Sequence, residues 1–88
     1  LVAVVAGATV RLAWERVPDA DVAGYRVYRS QSAGRGFQPL TPRAQPATTY
    51  VDASVRPGET YYYHVTAVDG SRRANESIPS PEAAARVP

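Results

Sequence analysis

The fold this sequence predicts is an all-β, two-sheet sandwich, and three observations predict it. Apolar and polar residues alternate with a period of two in short runs, as in strands with one dry and one wet face. Clusters of Pro and Gly separate those runs, and turns are where such residues belong. No stretch before the C-terminal end carries the spacing of an amphipathic helix.

The elements follow in order. LVAVVAGA at residues 1–8 is apolar but far too short to cross a bilayer and has no basic segment before it, so it reads as a first strand. In residues 9–15, Val10, Leu12 and Trp14 share the inner face, while Thr9, Arg11, Ala13 and Glu15 take the other. After the turn VPDAD at 17–21, residues 24–30 set Tyr25 and Val27 inward and Arg26 and Tyr28 outward, with Arg29 on the inner parity where the strand leaves the core. Gly34, Arg35 and Gly36 make a turn, residues 37–40 a short strand, and Pro42 and Pro46 bracket a loop. Residues 48–52 are β-prone around Tyr50, and residues 55–58 turn the chain into its longest strand, 60–69. There Tyr61, Tyr63, Val65 and Ala67 share one face, and Tyr62, His64, Thr66 and Val68 the opposite one. Residues 70–77 form a polar loop. Pro79, Pro81 and the short Ala run 83–85 suit an edge strand better than a helix. About seven short antiparallel strands is the count of a Greek-key sandwich.

Composition bounds the rest. A chain of 88 residues has the size of one domain and one thin core. It has no Cys, so neither a disulfide framework nor a thiolate metal site is available. Met is absent too, and one Trp, one Phe and six Tyr must supply the bulky burial. The net charge is +2, yet all ten cations are Arg, scattered without a run, which excludes a nucleic-acid patch. Abundant Ala and Arg with no Lys is the usage of a GC-rich genome, so a bacterial source is expected. With no initiator Met, residues 1–88 are expected to be one module excised from a longer chain.

Three marks, in order, resemble the fibronectin type III domain, an immunoglobulin-like sandwich, over nearly the whole chain. They are Trp14 in VRLAW, Tyr25 in GYRVYR, and the segment Val55, Arg56, Pro57, Gly58, Glu59, Thr60, Tyr61, where the family more often has Leu in place of Val55. Trp14 offers the largest apolar area, on the inner parity, and is expected at the centre of the core, worth roughly 3 to 5 kcal/mol against Ala. The resemblance implies that Tyr61 is a tyrosine corner whose hydroxyl bonds back to the preceding turn. All three marks are therefore expected to be structural. The loops look most similar to the bacterial branch of the family, which implies a noncatalytic accessory module of a secreted or cell-surface protein. The family's Arg-Gly-Asp loop is absent; DGSRRANES at 69–77 stands in its place.

Candidate sites are few. His64 is the sole histidine, so neither a catalytic relay nor a paired-imidazole metal site can be completed around a second one, and its parity makes it a solvated sheet residue. Asp19 and Asp21 have a spacing a calcium loop uses, but turn chemistry beside Pro18 accounts for them. Glu15 and Asp52 are strand-end acids with no recognisable partner. The GRG at 34–36 precedes no helix and is a hairpin, not a phosphate loop, and Asn75, Glu76 and Ser77 form a glycosylation sequon that is accidental in a bacterial chain. Arg26, Tyr28, Tyr62 and His64 are expected to cluster on one outer sheet face, a candidate partner-binding surface whose alternative is plain cross-strand packing. Arg72 and Arg73 form a second candidate contact in a loop.

No catalytic residues, cofactor or metal are expected. The leading role is a structural spacer whose partners are the neighbouring domains of its own chain. The alternative is a binding module for a protein or a polysaccharide, with only Tyr28 and Tyr62 as outward aromatics; an enzyme comes a remote third. Nucleic acid and membrane insertion are not among the expected partners.

Overall fold

The computed structural model describes every residue except 19, 20, 42, 71–74 and 78. Seven strands appear among the described residues: β1 (Val2–Ala6), β2 (Thr9–Ala13), β3 (Val22–Ser30), β4 (Gln38–Pro39), β5 (Thr49–Asp52), β6 (Thr60–Asp69) and β7 (Ala83–Arg86). They form two antiparallel sheets, ordered β1-β2-β5 and β4-β3-β6-β7. This is the expected immunoglobulin-like β-sandwich. The C-terminal alanines form an edge strand because β6 offers them a ladder, pairing Tyr61 with Ala85 and Tyr63 with Ala83. No helix of the described residues is long and apolar enough to cross a membrane.

The two-residue alternation determines which side chains are dry. Val10 and Leu12 of β2 meet Tyr25 and Val27 of β3 and Tyr61, Tyr63 and Val65 of β6 in one core, completed by Val55, Ala85 and Val87. The alternation fails in the second half of β6, where Thr66 and Val68, on the outer parity, are also buried. The cause is the chain that follows. Residues 75–77 and 80 lie beside β6 beyond the end of β7: Ser77 N donates to Ala67 O (2.8 Å), Ser80 N to Val65 O (2.9 Å), and Asp69 N to Asn75 O (3.0 Å).

Trp14 is not the centre of the core. β2 ends at Ala13, one residue short, so Trp14 lies where the sheet stops; it is half-buried, its ring edge-on to Tyr25 with centroids 5.8 Å apart. The largest fully buried side chains are Tyr61 and Tyr63. Tyr61 makes the expected corner: its hydroxyl accepts from Arg56 N (2.8 Å) across the turn in which Gly58 adopts φ +82°. Tyr25 does the same for the β2–β3 connection, accepting from Val17 N (2.8 Å).

Asp52 also differs from the sequence expectation, for it has several partners. It ends β5 in the three-stranded sheet at 2% exposure, and its carboxylate receives Tyr63 Oη (2.8 Å) and Arg29 Nη1 (3.0 Å) from the four-stranded sheet. Ser54 adds its backbone N–H (3.1 Å) and its hydroxyl (2.8 Å). The strand does not leave the core at Arg29: Ser30 beyond it is buried, and the Arg29 guanidinium lies over the Tyr61 ring, 5.1 Å from the centroid. Burial pushes the Asp52 carboxyl up, but hydrogen bonds from Tyr63, Ser54 and Arg29 outweigh it and hold the group below the ordinary carboxylate range. The same contact, after burial, pushes the Tyr63 phenol far above its usual value.

Two expectations follow. A carboxyl depressed by folding contributes stability that is present above its unfolded value of about 3.9 and lost as pH falls through the folded value. Urea unfolding of the native chain should therefore weaken steeply below about pH 4, and Asp52→Asn should flatten that limb while lowering stability at neutral pH. Gly24 sits where a Cβ would come 2.9 Å from the Gln45 carbonyl oxygen, because Gln45 bridges Tyr25 through N–H···O bonds of 2.8 and 2.9 Å. Gly24→Ala should cost about 1–3 kcal/mol by forcing backbone apart, read from the denaturant midpoint.

Candidate functional site

The outer face of the four-stranded sheet is built by register. Tyr28 lies opposite His64, Arg26 opposite Thr66, and Ser30 opposite Tyr62. Arg26, Tyr28 and His64 therefore come together as expected. Tyr62 shares the face two residues further along, between Ser30 and Ala84, and forms no ring contact with the others. Arg72 and Arg73 lie outside the described residues, as does Asp19; Asp21 accepts from Gly70 N through its backbone carbonyl (3.1 Å).

Two residues that the sequence reading left out organise the face. Glu76 reaches it from the returning residues 75–77 through the bridge Val68↔Glu76. Its carboxylate accepts from Tyr28 Oη (2.5 Å), Thr66 Oγ1 (2.6 Å) and Arg26 Nη1 (3.5 Å). Burial raises the Glu76 carboxyl, but these donors outweigh it and hold it below the ordinary range, while burial and the Glu76 contact push the Tyr28 phenol up. Arg26 spends a second nitrogen on Thr41 O (3.2 Å) and lies over the Tyr28 ring.

Phe37, just before β4, supplies the second missing part. Its ring stacks on His64 at 4.2 Å and 30°, and Tyr28 packs on the imidazole at 4.9 Å and 45°. His64 is accordingly half-buried between two rings and not a solvated sheet residue. Burial lowers its pKa below the ordinary value, with Glu82 and Glu76 pulling the other way. Glu82 in turn accepts from Gly34 N (2.6 Å), fixing the turn closed by Ser32↔Arg35. Asn75 of the sequon gives its amide nitrogen to Asp69 (3.2 Å). No group of three or more His, Asp or Glu among the described residues is placed to hold a metal.

Among solved structures, an Fn3-like protein from Clostridium thermocellum is 31% identical to this chain, which covers 99% of its own length and 84% of that protein at a TM-score of 0.79. The chain belongs to the fibronectin type III family. A β-1,2-glucanase from Parabacteroides distasonis contains a similar region, 32% identical at a TM-score of 0.79, and there the 88 residues span 12% of the longer chain. The pectate lyase Pel3 from Pectobacterium carotovorum shares the fold at 23% identity and a TM-score of 0.78, over 25% of that chain. No family sequence model matches the chain, and no curated protein sequence does.

For this fibronectin type III domain the three family marks have separable tasks. Tyr61 and Tyr25 accept backbone N–H groups at opposite ends of the sandwich, and Trp14 closes the rim beside Tyr25. Part of the outer face is spent on the domain itself: Tyr28 Oη, Thr66 Oγ1 and Arg26 Nη1 are paired with Glu76, and Arg26 Nη2 with Thr41 O. The Glu76 network, moreover, anchors a segment 48 to 50 residues away from the strand residues it receives.

His64 reports this packing. Its proton should titrate below about 6.5, and Phe37→Ala should move the midpoint up toward that value in an NMR titration. Since the unfolded imidazole takes its proton first, stability due to the neutral ring is present above about pH 6.5 and declines as pH falls through the folded value.

Proposed function

We propose that this domain is a noncatalytic spacer, an accessory module that separates neighbouring domains in a secreted or cell-surface protein. The observation that carries the reading is where the two ends of the chain lie. Leu1 borders the rim formed by Trp14, Tyr25 and Ala67, whereas Val87 is held at the far turn by Gly58 N→Val87 O and Val87 N→Glu59 O, both 2.9 Å. Between those levels β6 runs from 60 to 67, about 20 Å at the usual strand rise. The sandwich is itself elongated, 40 × 22 × 20 Å. Entry at one end and exit at the other converts a folded module into a rod of fixed length.

The occurrence of similar modules inside the longer glucanase and pectate lyase chains supports the same reading. So does the outer sheet face, whose donors converge on its own Glu76. A spacer needs the stability of that network and no ligand on it.

A second reading, a protein- or polysaccharide-binding module, is favoured by one feature: the rings of Phe37, His64 and Tyr28 form one row on the outer side of a sheet, with neighbouring centroids 4.2 and 4.9 Å apart. Rings of this kind stack on sugars. The two readings separate in an amide chemical-shift titration of the labelled domain against soluble glucan and pectin fragments. The spacer predicts no shifts at Arg26, Tyr28, Tyr62 or His64. Saturable shifts clustered on those residues would establish the binding module instead.

A further inference from the structure

The outer face of the three-stranded sheet differs in kind from the face just described. Three of its side chains are exposed valines: Val2 (60%), Val4 (54%) and Val51 (54%). Strand register brings them together. Val4 pairs with Arg11 and Arg11 with Val51, so one row across the sheet reads valine, arginine, valine, and the next row sets Val2 beside Ala13. Arg11 stands in the middle, and among the described residues no carboxylate is within ion-pair distance of it. On the four-stranded sheet, by contrast, the β3 arginines Arg26 and Arg29 are both engaged by acids.

The patch continues into a concavity. Val2 and Ala13 also line an open, mainly apolar groove of about 620 Å³ whose floor includes Trp14, Val17 and Ala67. The Trp14 Nε1–H is buried there with no acceptor among the described residues.

Size and charge select the occupant. Three valines offer far less than the roughly 800 Å² that each partner contributes to a standard interface between free molecules. A tethered partner needs much less, because its effective concentration reaches the millimolar range. A second copy is disfavoured on charge: a two-fold pair centred on this face sets Arg11 against Arg11, and like charges in a contact are costly. What remains complementary is an apolar surface carrying a carboxylate.

We propose that the outer face of the β1-β2-β5 sheet is the seat of an adjacent domain of the same chain, which packs an apolar side chain on Val2, Val4 and Val51 and a carboxylate on Arg11. The inference rests on the spacer reading and adds to it: the module sets the angle of a neighbour as well as its distance.

Hydroxyl-radical footprinting tests this on two preparations, the 88-residue domain and the longer natural chain that carries it. Labelling of Val2, Val4 and Val51 is expected to be several-fold lower in the longer chain, and Arg11→Glu or Val4→Asp should restore it there while leaving the thermal midpoint of the 88-residue domain nearly unchanged. Equal labelling in both preparations, with a second folded domain present, overturns the docking and leaves the spacer standing. A natural chain without a second domain overturns both. Protection that survives both substitutions, or that grows with the concentration of the 88-residue domain alone, also overturns the proposal, the latter in favour of a second copy.

Discussion

The structure depends on one buried carboxylate. Asp52 belongs to one sheet, and its donors Tyr63 and Arg29 belong to the other, so a single side chain fastens the two layers that the hydrophobic core only presses together. A small sandwich without cysteine has no covalent tie between sheets, and its core is thin. In that setting a directional contact has two effects. It fixes the relative register of the sheets, which apolar packing alone defines weakly, and it allows the large Tyr63 to be buried fully because its hydroxyl finds a partner, as the Tyr61 hydroxyl does separately at Arg56 N. Removing one member would strand the others, which is why such a network is costly to break, at about 3–5 kcal/mol for a buried pair.

From that anchor the two outer faces acquire opposite characters. On the four-stranded sheet the returning segment lays Glu76 across β3 and β6, and the donors of both strands close on it. The surface is polar, and three of its side chains, Tyr28, Thr66 and Arg26, share one carboxylate. On the three-stranded sheet valines surround an arginine that has no acid within ion-pair distance among the described residues. The opposite placement of the two ends and the character of this second face are the observations on which the proposed spacer role and docking rest.

Much of this was legible in the sequence because period-two alternation maps directly onto burial. The inner parity of Val10, Leu12, Tyr25, Val27, Tyr61 and Tyr63 could be read residue by residue, whereas the corner made by Tyr61 followed from the family resemblance. Trp14 misled because side-chain area says nothing about where a strand ends, and β2 ends one residue too soon to bury it. Asp52 looked like a terminal acid because its donors lie 11 and 23 residues away, on strands of the other sheet. The same reason hid Glu76: a loop residue in a sequon gives no local sign that it will reach across to Arg26 and Tyr28. Phe37 was placed in a short strand, but only the path of the turn at 34–36 carries its ring over His64. Contacts made within an element follow from its period, whereas contacts delivered by a returning loop require the topology.

The central claim is that Asp52 and Tyr63 act as one unit joining the sheets, and a double-mutant cycle measures this directly. Denaturant unfolding at neutral pH of the native chain, Asp52→Ala, Tyr63→Phe and the double variant should give a coupling energy of about 1–3 kcal/mol, as for residues sharing a buried network. Effects that add to within about 0.5 kcal/mol would mean that the two side chains stabilise the domain independently, and that packing alone holds the sheets together.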